Sequence, residues 1–414
     1  VLLEPDHRDV GQLLDAGGQR ELRLHGTAAH GDGRVVRGRG ARLVVRSLGA
    51  AENKNPSQPP TNKAMAMDSA DITESALTMT GADASEGEAS TSGRDWSWVP
   101  YPEGHRKRRG FIANYLDTVK GREEAGKAVY APSVRDALDG EAFATLRRGA
   151  TVRFDPNEYE LLEAFLALID TSGLAAGDDD DDDGDIDLAK IHERLPDFDR
   201  GKSHMEDKAR ILAPLARPGP KRDRFRAAYD RLMLEVVAPH FAARMPGEKR
   251  LLYASFPCVR VQQPCDFHTI RAHVDTMYLH PHGSLNVWLP LTTTRGVNTL
   301  HVESAPGAED FAPIELSLGE LAVFDGARCA HFTVANTSDR TRVSLDFRVI
   351  PGAVYDADAH ISRVKGTGSQ CYNVGGYYSV ACRDEKTNEW VRTVTGTPSI
   401  RHGFPHANPE IVEE

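Results

Sequence analysis

The sequence predicts a mainly β protein with flanking helices (α+β), its core a sandwich or barrel of short strands. Three observations carry this. From Leu251 to Ile350 the chain falls into strand-like runs divided by Gly, Pro and Asn: LLYASF, CVRVQQ, IRAHVD, SLNVWLPL, NTLHVE, PIELSL, ELAVFD, CAHFTVA and TRVSLDFRVI. Too little helix separates them for parallel βαβ units. Two helix-period stripes precede this region. Finally, 414 residues with 40% hydrophobic content suffice for one large core. No run approaches the ~18 consecutive apolar residues of a membrane span, so a membrane partner is not expected.

Residues 1–95 read as a disordered N-terminal region. Gly, Arg and short apolar pieces lead into a stretch dominated by Ser, Thr, Ala, Asn, Pro and Glu, which cannot bury enough apolar surface to fold alone. The chain opens with Val, as a fragment or a sequence with translated leader would. Organellar targeting by this region stays open, although Glu4, Asp6, Asp9, Asp15 and Glu21 are more acidic than transit peptides usually carry. Order is expected from Trp96, Trp98 and Tyr101, whose rings need packing partners.

Residues 96–250 read as a helical region packing on the core. In DPNEYELLEAFLALID, Asp155 can cap, Pro156 can take the first helical position, and Tyr159, Leu162, Leu166 and Ile169 share a face. In PKRDRFRAAYDRLMLEVVAPHF, Phe225, Tyr229, Leu232 and Val236 form a second stripe, which Pro239 kinks or ends. Between them lies an Asp-rich loop, 177–187, where like-charge repulsion favours an extended solvated chain. The net charge is −11, and without the eight carboxylates Asp178 to Asp183, Asp185 and Asp187 it becomes −3. The acidity therefore belongs to an insertion and says little about what the core binds. The basic clusters HRKRR at 105–109 and Lys221, Arg222, Arg224 and Arg226 read as solvated helix faces before they read as phosphate contacts.

The strands of 251–352 form the core and carry the chemistry, and 353–414 reads as a C-terminal extension or lid in which YNVGGYY suggests a further strand. In RAHVDTMY, His273 and Asp275 flank Val274, and residues two apart on a strand point the same way. His331 follows 56 residues after Asp275. Two imidazoles and one carboxylate on one face of an octahedral ion leave three positions open, the ligand set of non-haem Fe(II) oxygenases. Beyond the turn NTSD, Arg342 and Ser344 return on a strand with matching parity. A guanidinium there can hold the distal carboxylate of a dicarboxylate co-substrate bidentately, with the Ser hydroxyl as a further donor. Arg348 shares the parity and is the reserve candidate, set against an ion pair with Asp346. Arg260, Tyr278, Asn286 and Trp288 are candidates for the substrate pocket, each weighed against simple packing. The histidines of HPH, at 280 and 282, read as loop residues because Pro281 disfavours a regular strand. Five cysteines, an odd number without CxxC, fit a reducing intracellular, cytoplasmic setting.

The segments HVDTMYLHPHGSLNVWLPLTTTRGVNTLHVESAPG and GELAVFDGARCAHFTVANTSDRTRVSLDFRVIP resemble the Fe(II)/2-oxoglutarate-dependent dioxygenases, in particular the oxygenase-like proteins of streptomycin-type aminoglycoside biosynthesis. The resemblance covers roughly 251–352. It implies a double-stranded β-helix (jelly-roll) core, iron ligation by His273, Asp275 and His331, and 2-oxoglutarate binding by Arg342 aided by Ser344. It also implies O2 as co-substrate and hydroxylation of a small polar metabolite, an amino sugar or natural product. The carboxylate at Asp275 argues against halogenation, which needs that ligand position for halide. Two other readings compete: an oxygenase acting on protein or nucleic acid, motivated by the basic clusters and the long N-terminal tail, and a non-catalytic jelly-roll module that binds a metal or ligand.

Overall fold

A computed structural model of the chain describes Ile112 and residues 130–175, 186–364 and 372–406. The disordered reading of 1–95, the aromatic residues at 96–101, HRKRR at 105–109, the Asp run at 178–183 and Cys371 lie outside the described residues.

The described part is mainly antiparallel β-sheet with helices on one side. The helices are α1 (Pro132–Asp139), α2 (Glu141–Arg147), α3 (Pro156–Tyr159), α4 (Leu161–Leu168), α5 (Met205–Leu212), α6 (Pro220–Leu232) and α7 (Ala238–Arg244), with α8 (Ala357–Val364) after the main strands. The large sheet runs in the order β1 (Ala150–Arg153), β7 (Glu320–Phe324), β4 (Leu285–Pro290), β9 (Arg342–Pro351), β2 (Arg250–Ala254), β10 (Tyr378–Arg383), β11 (Trp390–Val394). On β9, β3 (Cys258–Gln262) pairs alongside these strands. A smaller sheet has the order β6 (Ala312–Pro313), β5 (Leu300–Val302), β8 (His331–Thr333), and a hairpin, β12 (Ser399–Arg401) with β13 (Phe404–His406), closes the described chain. The large sheet thus extends past 251–352 on both sides, taking β1 from before it and β10 and β11 from after it.

Period-two alternation sorts the large sheet into two faces. Leu285, Val287 and Leu289 of β4, Leu321 and Val323 of β7, and Val343, Leu345, Phe347 and Val349 of β9 join the helices in one apolar core. Phe165 of α4 meets Phe225 of α6 with ring centroids 5.8 Å apart, and Tyr229 meets Phe347 edge-on at 5.1 Å. The Tyr229 hydroxyl donates to the Ala254 carbonyl at 2.7 Å, so its polar end is satisfied inside the core. Across the sheet, Trp288, Ala322 and Phe324 pack with Leu300, Val302 and Ile314 of the small sheet and its approach, joining the two sheets.

Both predicted helices form, each with a departure from a regular stripe. Asp155 caps as expected, its side chain accepting from Asn157 N at 2.9 Å. Glu160 then adopts a left-handed conformation (φ 47°) and divides the segment into α3 and α4. The break rotates the buried face to Leu161, Ala164, Phe165 and Leu168, leaving Leu162 and Leu166 half-buried. In the second helix, Phe225, Tyr229 and Leu232 are buried as expected, but Met233–Val237 forms a π-turn before α7. Pro239 does not end the helix. It lacks an N–H and clashes with the carbonyl one turn back, and the wider turn accommodates both. The extra residue moves burial from Val236 to Met233 and Val237.

Two of the nine expected strands are reduced. IRAHVD contributes a single bridge at His273, paired with His331, before a tight turn over Asp275–Tyr278. PIELSL contributes only Pro313, to the two-residue β6. No helix among the described residues is long and apolar enough to cross a membrane.

Candidate metal centre

His273, Asp275 and His331 offer one ligand atom each within 4.8 Å of one another, and all three side chains are buried. His331 opens β8, and its backbone exchanges two hydrogen bonds with His273, at 3.0 and 3.1 Å, which sets the two residues directly opposite. The convergence expected from a strand therefore survives in a segment that is not one, because a lone bridge is enough to orient His273. Asp275 follows at the start of the tight turn. Its N–H donates to Gly326 O at 2.9 Å, and Thr276 Oγ1 donates to Ala327 O at 2.8 Å, fixing this turn against the loop after β7.

The imidazole tautomers follow from local contacts. His273 Nδ1 lies 2.7 Å from Arg271 O, and His331 Nδ1 lies 2.8 Å from Cys329 O. A carbonyl only accepts, so Nδ1 carries the proton in each ring and both Nε2 lone pairs are left to face inward. The two Nε2 atoms are 3.0 Å apart. Facing lone pairs repel at that distance, and a cation between them turns repulsion into ligation. Two ligands at about 2.1 Å from one ion and at right angles to each other are themselves about 3.0 Å apart. Asp275 Oδ1 stands 3.8 Å from His273 Nε2 and 3.7 Å from His331 Nε2, buried and without a hydrogen-bond partner. The donor set, two neutral nitrogens and one carboxylate oxygen, fits a divalent transition metal.

The inward face of the large sheet beside this cluster is polar. Arg342, Ser344, Asp346 and Arg348 alternate along β9, and the register puts Gln262 opposite Arg342, Arg260 opposite Ser344, and Asn286 opposite Arg348. All seven are buried. Arg342 lies with its guanidinium carbon 6.0 Å from the centre of the Trp288 ring. Ser344 Oγ, Gln262 Oε1 and Asn286 Oδ1 have no hydrogen-bond partner within the protein. Each such buried atom costs about 1–3 kcal/mol, so this row is built to meet polar atoms of something else. Three guanidiniums here face two carboxylates, Asp275 and Asp346, which favours an anionic guest.

The reserve candidate Arg348 is engaged elsewhere. Its Nε and Nη2 donate to Asp275 Oδ2 at 3.0 and 2.9 Å, and its Nη1 donates to Asp346 Oδ2 at 3.0 Å. Burial alone would lower its pKa, but the Asp275 and Asp346 carboxylates hold it well above the usual guanidinium range. Among the pocket candidates, Asn286 Nδ2 donates to Asp275 Oδ2 at 2.7 Å and so stands beside the metal ligand. Tyr278 packs edge-on against His273, with centroids 5.3 Å apart. Arg260 reaches Asp346 at 3.4 Å and lies over Phe404 of β13 at 4.4 Å. Of the two loop histidines, His280 stacks on Tyr372 with centroids 3.9 Å apart, and His282 meets the Tyr130 hydroxyl at 3.2 Å.

Two contributors were not singled out from the sequence. Glu303, fully buried after β5, accepts from Ala330 N at 2.6 Å and so braces the residue before His331. Tyr372, in the segment before β10, is pushed up by burial, and the charges of Arg348 and Asp275 reach it. The string YNVGGYY was legible as ordered chain; its proximity to the metal cluster was not, because nothing local encodes where β10 joins the sheet.

No protein-family model matches the chain. A search of curated proteins finds the streptomycin biosynthesis protein StrG of Streptomyces griseus, 38% identical over 84 residues. The match takes in 20% of this chain and 39% of that protein, so the chain spans well under half of the relative's length. Among solved structures, the non-heme alpha ketoglutarate dependent epimerase SnoN from nogalamycin biosynthesis aligns over 66% of this chain and 96% of its own, at 16% identity and a TM-score of 0.30. AviO1 from Streptomyces viridochromogenes Tue57 aligns over 52% of this chain and 96% of its own, at 16% identity and a TM-score of 0.30. The reading of the site rests on its side chains.

Proposed function

We propose that this chain is an Fe(II)- and 2-oxoglutarate-dependent oxygenase with a jelly-roll core, and that it hydroxylates a small polar metabolite of the amino-sugar or natural-product kind. The observation that carries the reading is the convergence of two imidazole lone pairs and one unpartnered carboxylate oxygen on a single buried point, beside a row of inward-facing guanidiniums. His273, Asp275 and His331 would hold the iron. Iron bound there, with 2-oxoglutarate and O2, supplies the oxidising power to break an unactivated C–H bond.

The protein's own share is binding and exclusion. Arg342 is assigned to the distal carboxylate of 2-oxoglutarate, with the Ser344 hydroxyl donating beside it. Arg348 is not assigned to the co-substrate, because each of its three nitrogens already donates to Asp275 or Asp346. The Trp288, Phe324 and Leu300 side chains between the sheets exclude water from the space next to the cluster, which strengthens each charge contact there. Tyr278 and Arg260 remain the candidates for substrate contact. The amino-sugar class draws on the partial similarity to a streptomycin biosynthesis protein.

Purified protein given Fe(II), 2-oxoglutarate and O2 is expected to release succinate slowly on its own and faster with a suitable aminocyclitol or glycoside. Folded, metal-loaded protein that forms no succinate with any of a broad panel would overturn the proposal.

A further inference from the structure

The two oxygens of Asp275 live in different surroundings. Oδ1 has no hydrogen-bond partner and faces both imidazole Nε2 atoms. Oδ2 accepts three hydrogen bonds: from Asn286 Nδ2 at 2.7 Å, Arg348 Nε at 3.0 Å and Arg348 Nη2 at 2.9 Å. Both donors come from the large sheet, where Asn286 and Arg348 sit directly opposite each other on β4 and β9. Their spacing is therefore set by a strand register, the least adjustable feature of the fold.

The clamp is itself braced. Arg348 Nη1 is held by Asp346 Oδ2 at 3.0 Å, and Asp346 in turn lies 3.4 Å from Arg260. On the other side, Gly326 leaves room for Asn286. A Cβ on Gly326 would stand 2.6 Å from Asn286 Cγ and 2.5 Å from the Phe324 ring, so any side chain there would displace one of them.

We propose that Arg348 and Asn286 are positioning residues that restrict Asp275 to one-oxygen ligation, keeping the other metal positions for co-substrate and oxygen. This rests on the reading of the centre given above. A carboxylate with both oxygens available can grip a metal ion through both, taking a further position. Here the lone pairs of Oδ2 are taken up by three donors, one of them a cation. The Arg348 charge also draws electron density from the carboxylate, which makes it a weaker donor and the metal a stronger Lewis acid. A lysine would keep the charge but lose the two-pronged grip on a single oxygen.

The test uses the full chain loaded anaerobically with Co(II), whose visible bands report coordination number, followed by titration with 2-oxoglutarate. Wild type, Arg348→Lys, Asn286→Ala and His273→Ala are compared, with circular dichroism of the metal-free proteins reporting folding. Arg348→Lys and Asn286→Ala are expected to shift the Co(II) bands toward a higher coordination number, with metal binding retained. They should also weaken 2-oxoglutarate binding to the Co(II) form, and the double variant should fall short of the sum, since both act through one oxygen. Asn286→Ala, which changes no charge, carries the test if the Arg348 variant does not fold. Wild-type bands and wild-type 2-oxoglutarate affinity in the folded variants would overturn the clamp. Absence of Co(II) binding in wild type, or its persistence in His273→Ala, would instead overturn the metal-centre reading beneath it.

Discussion

Along β9, Val343, Leu345, Phe347 and Val349 face the helices, whereas Arg342, Ser344, Asp346 and Arg348 face the metal cluster, and both sets are buried. A half-exposed strand alternates apolar and polar because one side is wet. This strand alternates because its two dry sides have different tasks. The helix side removes apolar area from water, and each large side chain there contributes about 1.5–3 kcal/mol. The inner side incurs the cost of desolvating charges, and only specific partners offset that cost. One face can thus be perturbed for stability and the other for chemistry, within a single strand.

The largest separation is expected at Phe347. Truncation to Ala removes its edge-on contact with Tyr229 and should cost about 3–5 kcal/mol of stability by denaturant titration. Below the unfolding transition the metal-binding spectrum should be unchanged, because the lost ring lies on the far side of the sheet. The converse variant is Arg342→Ala. It should weaken 2-oxoglutarate binding by about 2–5 kcal/mol, measured calorimetrically, while metal binding by the His and Asp ligands persists. Unchanged affinity would move the co-substrate anchor away from this position.

The smallest effect belongs to the helical layer and appears as a pH dependence. His240 on α7 is pushed down to about 4 by burial and by the neighbouring Arg244. The unfolded chain takes up a proton near the ordinary value of 6.5, and the folded chain does not until about 4. Unfolding is therefore increasingly favoured as pH falls through that window, and no such contribution exists above it. His240→Gln should flatten the slope of stability against pH between 6.5 and 4; an unaltered slope would assign the acid sensitivity to other groups.

Local signals in the sequence reached as far as local causes extend. Seven of the nine strand-like runs became strands of three residues or more, because alternation and Gly/Pro punctuation are properties of short windows. His273 and His331 were legible for a related reason: each ring is oriented by a carbonyl two residues before it, and Asp275 was legible from its spacing to His273 alone. The left-handed break at Glu160 and the π-turn before Pro239 were not legible, since both answer to what the helices pack against. The same limit separates Arg342 from Arg348. They share a strand face and flank Ser344 and Asp346, and only the partner across the sandwich distinguishes them. That partner for Arg348 is Asp275, 73 residues earlier and in a turn. Asn286, placed by parity on the pocket face, proved to touch the same carboxylate for the same long-range reason.

The central claim is that the buried His273–Asp275–His331 cluster holds iron and presents it to 2-oxoglutarate. The most direct measurement is anaerobic addition of Fe(II) and then 2-oxoglutarate to the purified chain, followed by visible absorption. A weak metal-to-ligand charge-transfer band should appear in wild type, saturate at one equivalent of iron, and be lost in His273→Ala. Folded wild-type protein that shows no band, or a His273→Ala variant that retains it, would contradict the account.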